Sequence, residues 1–402
     1  MNWKIVLLIL SCNVLFMSAS YTMLIPFLPM YLVRELGVAE EDVSLWSGVV
    51  FSSTFIVSAV MAPIWGRMAD KHGKRSMAIR AALLLSASYF LGGIVTSPEE
   101  LTMMRIFQGF AAGLWPMALA IMTLYAPKEK LGFSLGVMQG ALMGGNVLGP
   151  LFGGGFAELF GMRLSFFAAS FFLFVNALFF IFVIKEPPEP AEEKKEKASA
   201  SSLWHRPLIR HMLIYAVFVQ MVILLIQPIL TTYVAELAGN LPNLIFISGF
   251  VFSLGGFASV IAAPLWGKLG QSKGFMRTFL LSLVGAGVLY LLQGLPRSLY
   301  IFAVLQFAIG LFFAGIHPSI NALLASHTPA ELKGSIFGVL FSAQQMGCII
   351  GPLLGGTVAT LFGESYVFYT AGFMLLAIAA VACRQEAAGE GFHVPHSLFH
   401  HF

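Results

Sequence analysis

Apolar runs of about twenty residues recur from one end of this 402-residue chain to the other, and they leave charge almost nowhere but in short connections. Hydrophobic residues make up 58% of the chain and charged residues 10%, against roughly a quarter charged in a soluble domain. A helix needs about 20 apolar residues to cross a bilayer. Only elements that satisfy their own backbone groups persist in lipid. The runs therefore predict spanning helices at roughly 5–33, 44–65, 76–96, 100–125, 131–158, 163–184, 209–235, 244–267, 276–293, 298–325, 333–361 and 365–383. The expected fold is an all-α integral membrane protein of twelve transmembrane helices. The 40 glycines and 38 phenylalanines fit this class. Glycine lets helices approach where lipid supplies no hydrophobic drive for pairing, and Phe suits lipid-facing and cavity-lining surfaces.

The formal net charge of +4 does not point to nucleic acid, because the basic residues are sorted by side. With the N-terminus inside, nineteen of the 23 Lys and Arg fall in inner connections. Three, Arg34, Arg163 and Arg297, fall outside, and Arg105 lies within a span. The positive-inside rule then predicts that both termini are cytoplasmic. The first apolar run shows no small-residue cleavage site at signal-peptide length, so it is expected to stay as the first span. Cys12, Cys348 and Cys383 lie in apolar stretches without close partners, which argues against a disulfide framework or a zinc site. No metal and no cofactor is expected.

The polar segment KEPPEPAEEKKEKASASS, Lys185 to Ser202, cannot bury enough apolar surface to fold alone. It divides the chain into an N-terminal six-helix half (1–184), a cytoplasmic linker (185–207), a C-terminal six-helix half (208–384) and a tail (385–402) expected to be disordered. The tail holds His393, His396, His400 and His401.

The halves repeat each other. APIWGRMADKHGKR from Ala62 matches APLWGKLGQSKGFMR from Ala263, pairing Pro63 with Pro264, Trp65 with Trp266, Gly66 with Gly267 and Gly73 with Gly274. GVMQGALMGGNVLGPLFGG from Gly136 matches GVLFSAQQMGCIIGPLLGG from Gly338. QGFAAGLWP, Gln108 to Pro116, matches IGLFFAGIHP, Ile309 to Pro318, more weakly. Six helices per unit bring both halves in from the same side, so the repeats are parallel about an axis along the membrane normal.

GRMADKHGKR, Gly66 to Arg75, resembles the cytoplasmic signature between helices 2 and 3 of the major facilitator superfamily. Here Gly66 allows close approach and Gly73 the turn. Asp70 is an anion placed to meet a helix N-terminus or a cation of the other half, while Lys74 and Arg75 hold the loop inside. GNVLGPLFGG, with Gly145, Gly149, Pro150, Gly153 and Gly154, resembles the helix 5 signature of exporters in that superfamily. RIFQGFAAG, from Arg105, resembles the helix 4 signature in which a buried Arg joins the coupling machinery. With the opening MLIPFLPMYLVRELGV and LWSGVVFSSTF, the chain from about Lys4 to Cys383 resembles the twelve-helix drug:proton antiporter family, and most of all its MdtG-type multidrug efflux members.

That resemblance implies secondary active export of small amphipathic or drug-like molecules by alternating access, as a monomer in the bacterial inner membrane, with a proton gradient as energy source. A lipid or lysophospholipid flippase, or a sugar or metabolite exporter, is the alternative on the same fold. Nothing resembling a Walker loop, HExxH or GxSxG occurs, so ATP hydrolysis and enzyme chemistry are not expected. One departure stands out. Many such antiporters carry an acid midway along helix 1, and LFMSASYTMLIP has none. The coupling candidates are therefore Arg105, a cation inside the membrane, and His317, whose imidazole titrates near neutrality. Asp70 and Glu35, at the membrane edges, are the rival proton carriers. Candidate cavity residues are Tyr21, Trp115, Asn146, Gln220, Gln227, Asn321 and Gln344, together with His317. Interhelical hydrogen bonding is the plain explanation of the amides, since lipid offers them no partner.

Overall fold

The computed structural model describes residues 2–127, 130–185, 206–239, 243–295, 297–328 and 333–387. The linker lies outside these residues except at its ends, and the tail lies outside them beyond residue 387. The first half holds α1a (Trp3–Thr22) and α1b (Leu28–Arg34), α2 (Val43–His72), α3 (Lys74–Ile94), α4a (Pro98–Phe110) and α4b (Leu114–Tyr125), α5 (Leu131–Phe160) and α6 (Met162–Phe182). The second holds α7 (Pro207–Ala238), α8 (Leu244–Lys273), α9 (Phe275–Gln293), α10a (Leu299–Phe313) and α10b (Ile316–Ser326), α11 (Lys333–Phe362) and α12 (Glu364–Ala387). Among the described residues, eleven helical segments are long and apolar enough to cross a membrane. The thirty-residue α5 packs along α1a and completes the twelve.

Three spans are interrupted. Pro26 and Pro29 remove amide donors, so α1 passes through a 3-10 turn at Ile25–Phe27 before α1b. α4 breaks at Ala111–Gly113 and α10 at Ala314–Gly315. The weak third repeat of the sequence is thus the pair of helix breaks, each followed by a proline, Pro116 and Pro318. The repeated tryptophan serves one of them directly: Trp266 Nε1 donates to the Leu311 carbonyl at 2.6 Å.

The motif from Gly66 to Arg75, expected as a loop, is helix through His72 and helix again from Lys74. A helix satisfies its own backbone, so charged residues let it project from the bilayer without ending it. Gly73 alone makes the turn, at φ 90°, and its repeat mate Gly274 does so at φ 94°. A side chain is strained in that region.

The glycines of α5 divide between two faces. A Cβ at Gly145, Gly149 or Gly153 would strike α1 at Leu15, Thr22 or Met23. A Cβ at Gly154 would lie 2.8 Å from the Ile245 carbonyl oxygen of α8. Gly249 of α8 in turn seats against the Pro150 carbonyl. The second half repeats the arrangement: Gly347, Gly351 and Gly355 press on α7, while Gly356 meets Ser44 and Pro352 meets Gly48 on α2. Backbone thus meets backbone within each half and between the halves, as packing without a hydrophobic drive requires. α7 is the spine of its half, with Val219, Val222, Ile229 and Val234 buried against Phe279, Phe302 and Phe368.

Candidate functional site

The bundle has two chemically different ends. The connections after α2, α4, α6, α8 and α10 carry most of the Lys and Arg. The opposite end carries Glu35, Glu40, Glu41, Asp42, Glu99, Glu100, Glu236 and Glu364. The contacts described between α5 and α8, and between α2 and α11, lie from mid-span toward the acidic end. Ser52 donates to the Ile349 carbonyl at 2.8 Å, and Ser253 to the Val147 carbonyl at 2.8 Å. The Ile245 amide, at the start of α8, donates to the Glu158 carboxylate at 3.2 Å. The halves are therefore closed together at the acidic end.

Toward the basic end lies a cavity of about 390 Å³, lined mainly by aromatic and aliphatic side chains of the first half and by Phe341 and Gln345 of α11. Tyr21 and Trp115, two of the candidates named from the sequence, line it. So do residues the sequence reading did not single out: Trp65, Tyr89 and Gln108. Gln108 was legible in principle, since it stands three residues after Arg105 and so shares its helix face.

Arg105 is 3% exposed. Its Nη1 donates to Gln108 Oε1 at 2.8 Å, its guanidinium sits 5.3 Å from the Phe51 ring centroid, and Nε has no hydrogen-bond partner. Among the described residues no carboxylate pairs with it. The carbonyl side of the α4 break is satisfied from α3. Arg80 Nη1 donates to the Phe110 carbonyl at 3.1 Å and Nη2 to that of Ala112 at 3.2 Å, with the guanidinium 3.6 Å from the Trp65 ring centroid.

Most other candidates lie outside this cavity. Asn146 accepts a 2.6 Å hydrogen bond from Ser18, joining α5 to α1a. Gln220 packs at the α7–α11 crossing beside Gly347. Gln227 is half-buried and Asn321 exposed, and Gln345 rather than its neighbour Gln344 reaches the cavity. His317 stands at the start of α10b, its ring 6.3 Å from that of Phe313, and no contact joins it to Arg105. Arg75 donates to the Phe180 carbonyl at 2.9 Å and that of Ile181 at 2.5 Å, a cation at the C-terminus of α6. Glu35 pairs with Arg163 at 2.9 Å at the acidic end. The Asp70 side chain lies outside the described set; Gly66 and Asp70 both fall in the last two turns of α2.

The Major Facilitator Superfamily model matches residues 10–269 and 245–392. The chain is 35% identical over 371 residues to the multidrug resistance protein MdtG of Dickeya zeae, covering 91% of each. It is 34% identical over 368 residues to the uncharacterized MFS-type transporter YuxJ of Bacillus subtilis, covering 90% of this chain and 93% of that one. It is also 32% identical over 378 residues to the multidrug resistance efflux pump PmrA homolog of Lactococcus lactis, covering 93% of this chain and 91% of that one. Among solved structures, the bacterial homolog of the human lysosomal transporter Spinster, inward-facing and occupied, superposes with a TM-score of 0.80 at 15% identity, covering 95% of this chain and 97% of that one. The nucleoside transporter NupG does so at 0.73 and 15%, covering 96% and 99%. The chain belongs to the major facilitator superfamily and is a multi-pass membrane transporter.

Proposed function

We propose that this protein exports small amphipathic, drug-like molecules from the cytoplasm by alternating access, using the proton gradient as its energy source. The observation that carries the reading is the cavity. It is apolar and aromatic, with a few polar groups, which suits bulky amphipathic ligands better than polyhydroxyl sugars. The curated multidrug relatives point the same way. In this reading the basic end faces the cytoplasm, both termini lie there, and the conformation is the one closed to the outside. Asp70, two residues before the end of α2, holds the basic ends together in the opposite conformation. His317 carries the proton, with Arg105 biasing it through charge.

The test is transport in proteoliposomes. Wild-type protein should move a fluorescent amphiphile against its gradient when a pH gradient is imposed, and cells expressing it should accumulate less. Asp70→Asn should keep expression and lose most transport. His317→Gln should lose gradient-driven transport while keeping gradient-free exchange. Undiminished driven transport by that variant moves the proton to the edge carboxylates.

A further inference from the structure

The break in α4 leaves its two sides differently treated. Its carbonyls have Arg80, and the amides of Ala111 and Ala112 bond back to the turn before them, but the amides that open α4b have no cap: Gly113, at φ 120°, is its N-cap and supplies no side chain to bond them. The amides of Leu114 and Trp115 fall in the first turn, where no intrahelical acceptor exists, and both residues line the cavity. Pro116 has no amide to offer. The cavity therefore lies against the positive end of a twelve-residue helix.

Two buried polar side chains of the same wall also keep unused donors. Gln108 is 2% exposed and Tyr89 1% exposed, and apart from their contact with each other neither Gln108 Nε2 nor the Tyr89 hydroxyl has a hydrogen-bond partner, so an amide hydrogen and the hydroxyl hydrogen are left unused. Both line the cavity, as does Tyr21. The orientation of Gln108 is dictated by Arg105. A guanidinium has donors only, so the amide oxygen must face it and Nε2 must face away. No described residue lining the cavity is Asp or Glu. The wall thus gathers donors and a helix N-terminus, with a buried cation behind Gln108, and supplies no anion.

We propose that the break in α4 is a substrate subsite for an anionic oxygen, such as a carboxylate. Gln108, Tyr89 and the first amides of α4b donate to it, and Arg105 acts as the residue that positions Gln108. The apolar remainder of the cavity takes the body of the same molecule. This rests on reading the cavity as the substrate site and names the class of head group it prefers.

Three probes with one fluorophore and different heads test it: dansylglycine (anionic), dansylamide (neutral) and dansylcadaverine (cationic). Binding to the purified full chain in phosphatidylcholine nanodiscs is read by energy transfer from tryptophan, with empty nanodiscs as background. Dansylglycine should bind at least tenfold tighter than dansylamide, and dansylcadaverine weakest. Gln108→Leu should weaken dansylglycine about tenfold and leave dansylamide nearly unchanged. Gln108→Glu should reverse the order in favour of dansylcadaverine, which a merely structural role for Gln108 would not produce. Arg105→Lys should retain the preference for dansylglycine, and Arg105→Met should lose it. Wild-type protein that binds all three probes alike, or prefers the cation, overturns the subsite but leaves the export reading standing, and this ranking decides even where a variant does not fold. Binding of none of the three overturns both.

Discussion

Arg80 holds together the place where α4 stops and restarts. Its two donors occupy the carbonyls of Phe110 and Ala112 and its plane covers Trp65. Lysine keeps the charge but has neither the fork nor the flat face. Arg80→Lys should therefore cost about 1–3 kcal/mol, the cost of leaving polar groups unsatisfied where lipid or protein, not water, surrounds them. Thermal unfolding of the detergent-solubilised variant checks this, and an unchanged midpoint would show that the break is held by other means. Arg105 differs in kind, because its charge lies in the membrane with an amide for a partner and, among the described residues, no carboxylate. An uncompensated buried cation is costly, which is why a functional reading of it was available from sequence alone. The amide beside it was harder to see. Gln108 takes its meaning from the orientation Arg105 imposes and from the helix break it faces, and neither is a property of one residue.

At the scale of elements, closure of the acidic end depends on four backbone crossings without side chains between them. Gly48 lies on Pro352, Gly249 on Pro150, Gly154 on Ile245 and Gly356 on Ser44. Gly249→Leu places a side chain on the Pro150 carbonyl. Overpacking a tight contact costs about 1–3 kcal/mol, enough to shift a two-state population roughly five- to a hundredfold at 1.4 kcal/mol per decade. Spin labels at Glu41 and Tyr366, both on the polar cavity of the acidic end, should then report longer distances; an unchanged distribution would show that these crossings do not set the closed state. Glu158 works at the same place. Its carboxylate meets the first turn of α8 across the halves, an arrangement worth about 0.3–1 kcal/mol. Glu158→Gln should shift the same distances in the same direction, by a smaller amount. The glycine signature of α5 was readable as a close-packing helix. That it packs on two partners, one in each half, follows from the spacing of Gly145, Gly149 and Gly153 against the offset of Gly154 and Pro150.

For the molecule as a whole, the sorting of charge and the direction of opening are linked. The cavity lies toward the end with the basic connections, and the halves meet toward the end with the carboxylates. Reporter fusions after Lys197 and after Glu236 should read cytoplasmic and external respectively; the opposite pattern would invert the direction of transport. A cysteine at Trp115, which lines the cavity, should react with a membrane-impermeant maleimide from the basic side. A bound amphiphile should slow that reaction, and labelling only from the acidic side would contradict the closure described here.

The sequence alone determined the twelve spans, the sidedness of charge and the duplication, because each is a one-dimensional pattern imposed by a solvent. A bilayer rejects charge and demands satisfied backbone wherever the chain crosses it. The motif marked Gly73 as a turn, and the repeat paired Gly274 with it. It did not show that the segment before Gly73 is helix, since polar composition says only that a residue leaves the lipid and not how. Tertiary structure alone decided which amides serve as interhelical bonds, as Asn146 does with Ser18, and which line the cavity, as Gln345 does beside Gln344. Successive residues of a helix point about 100° apart, so the choice between neighbours depends on how that helix is rotated in the bundle. That rotation is fixed by packing against other helices, through contacts between residues far apart in the chain.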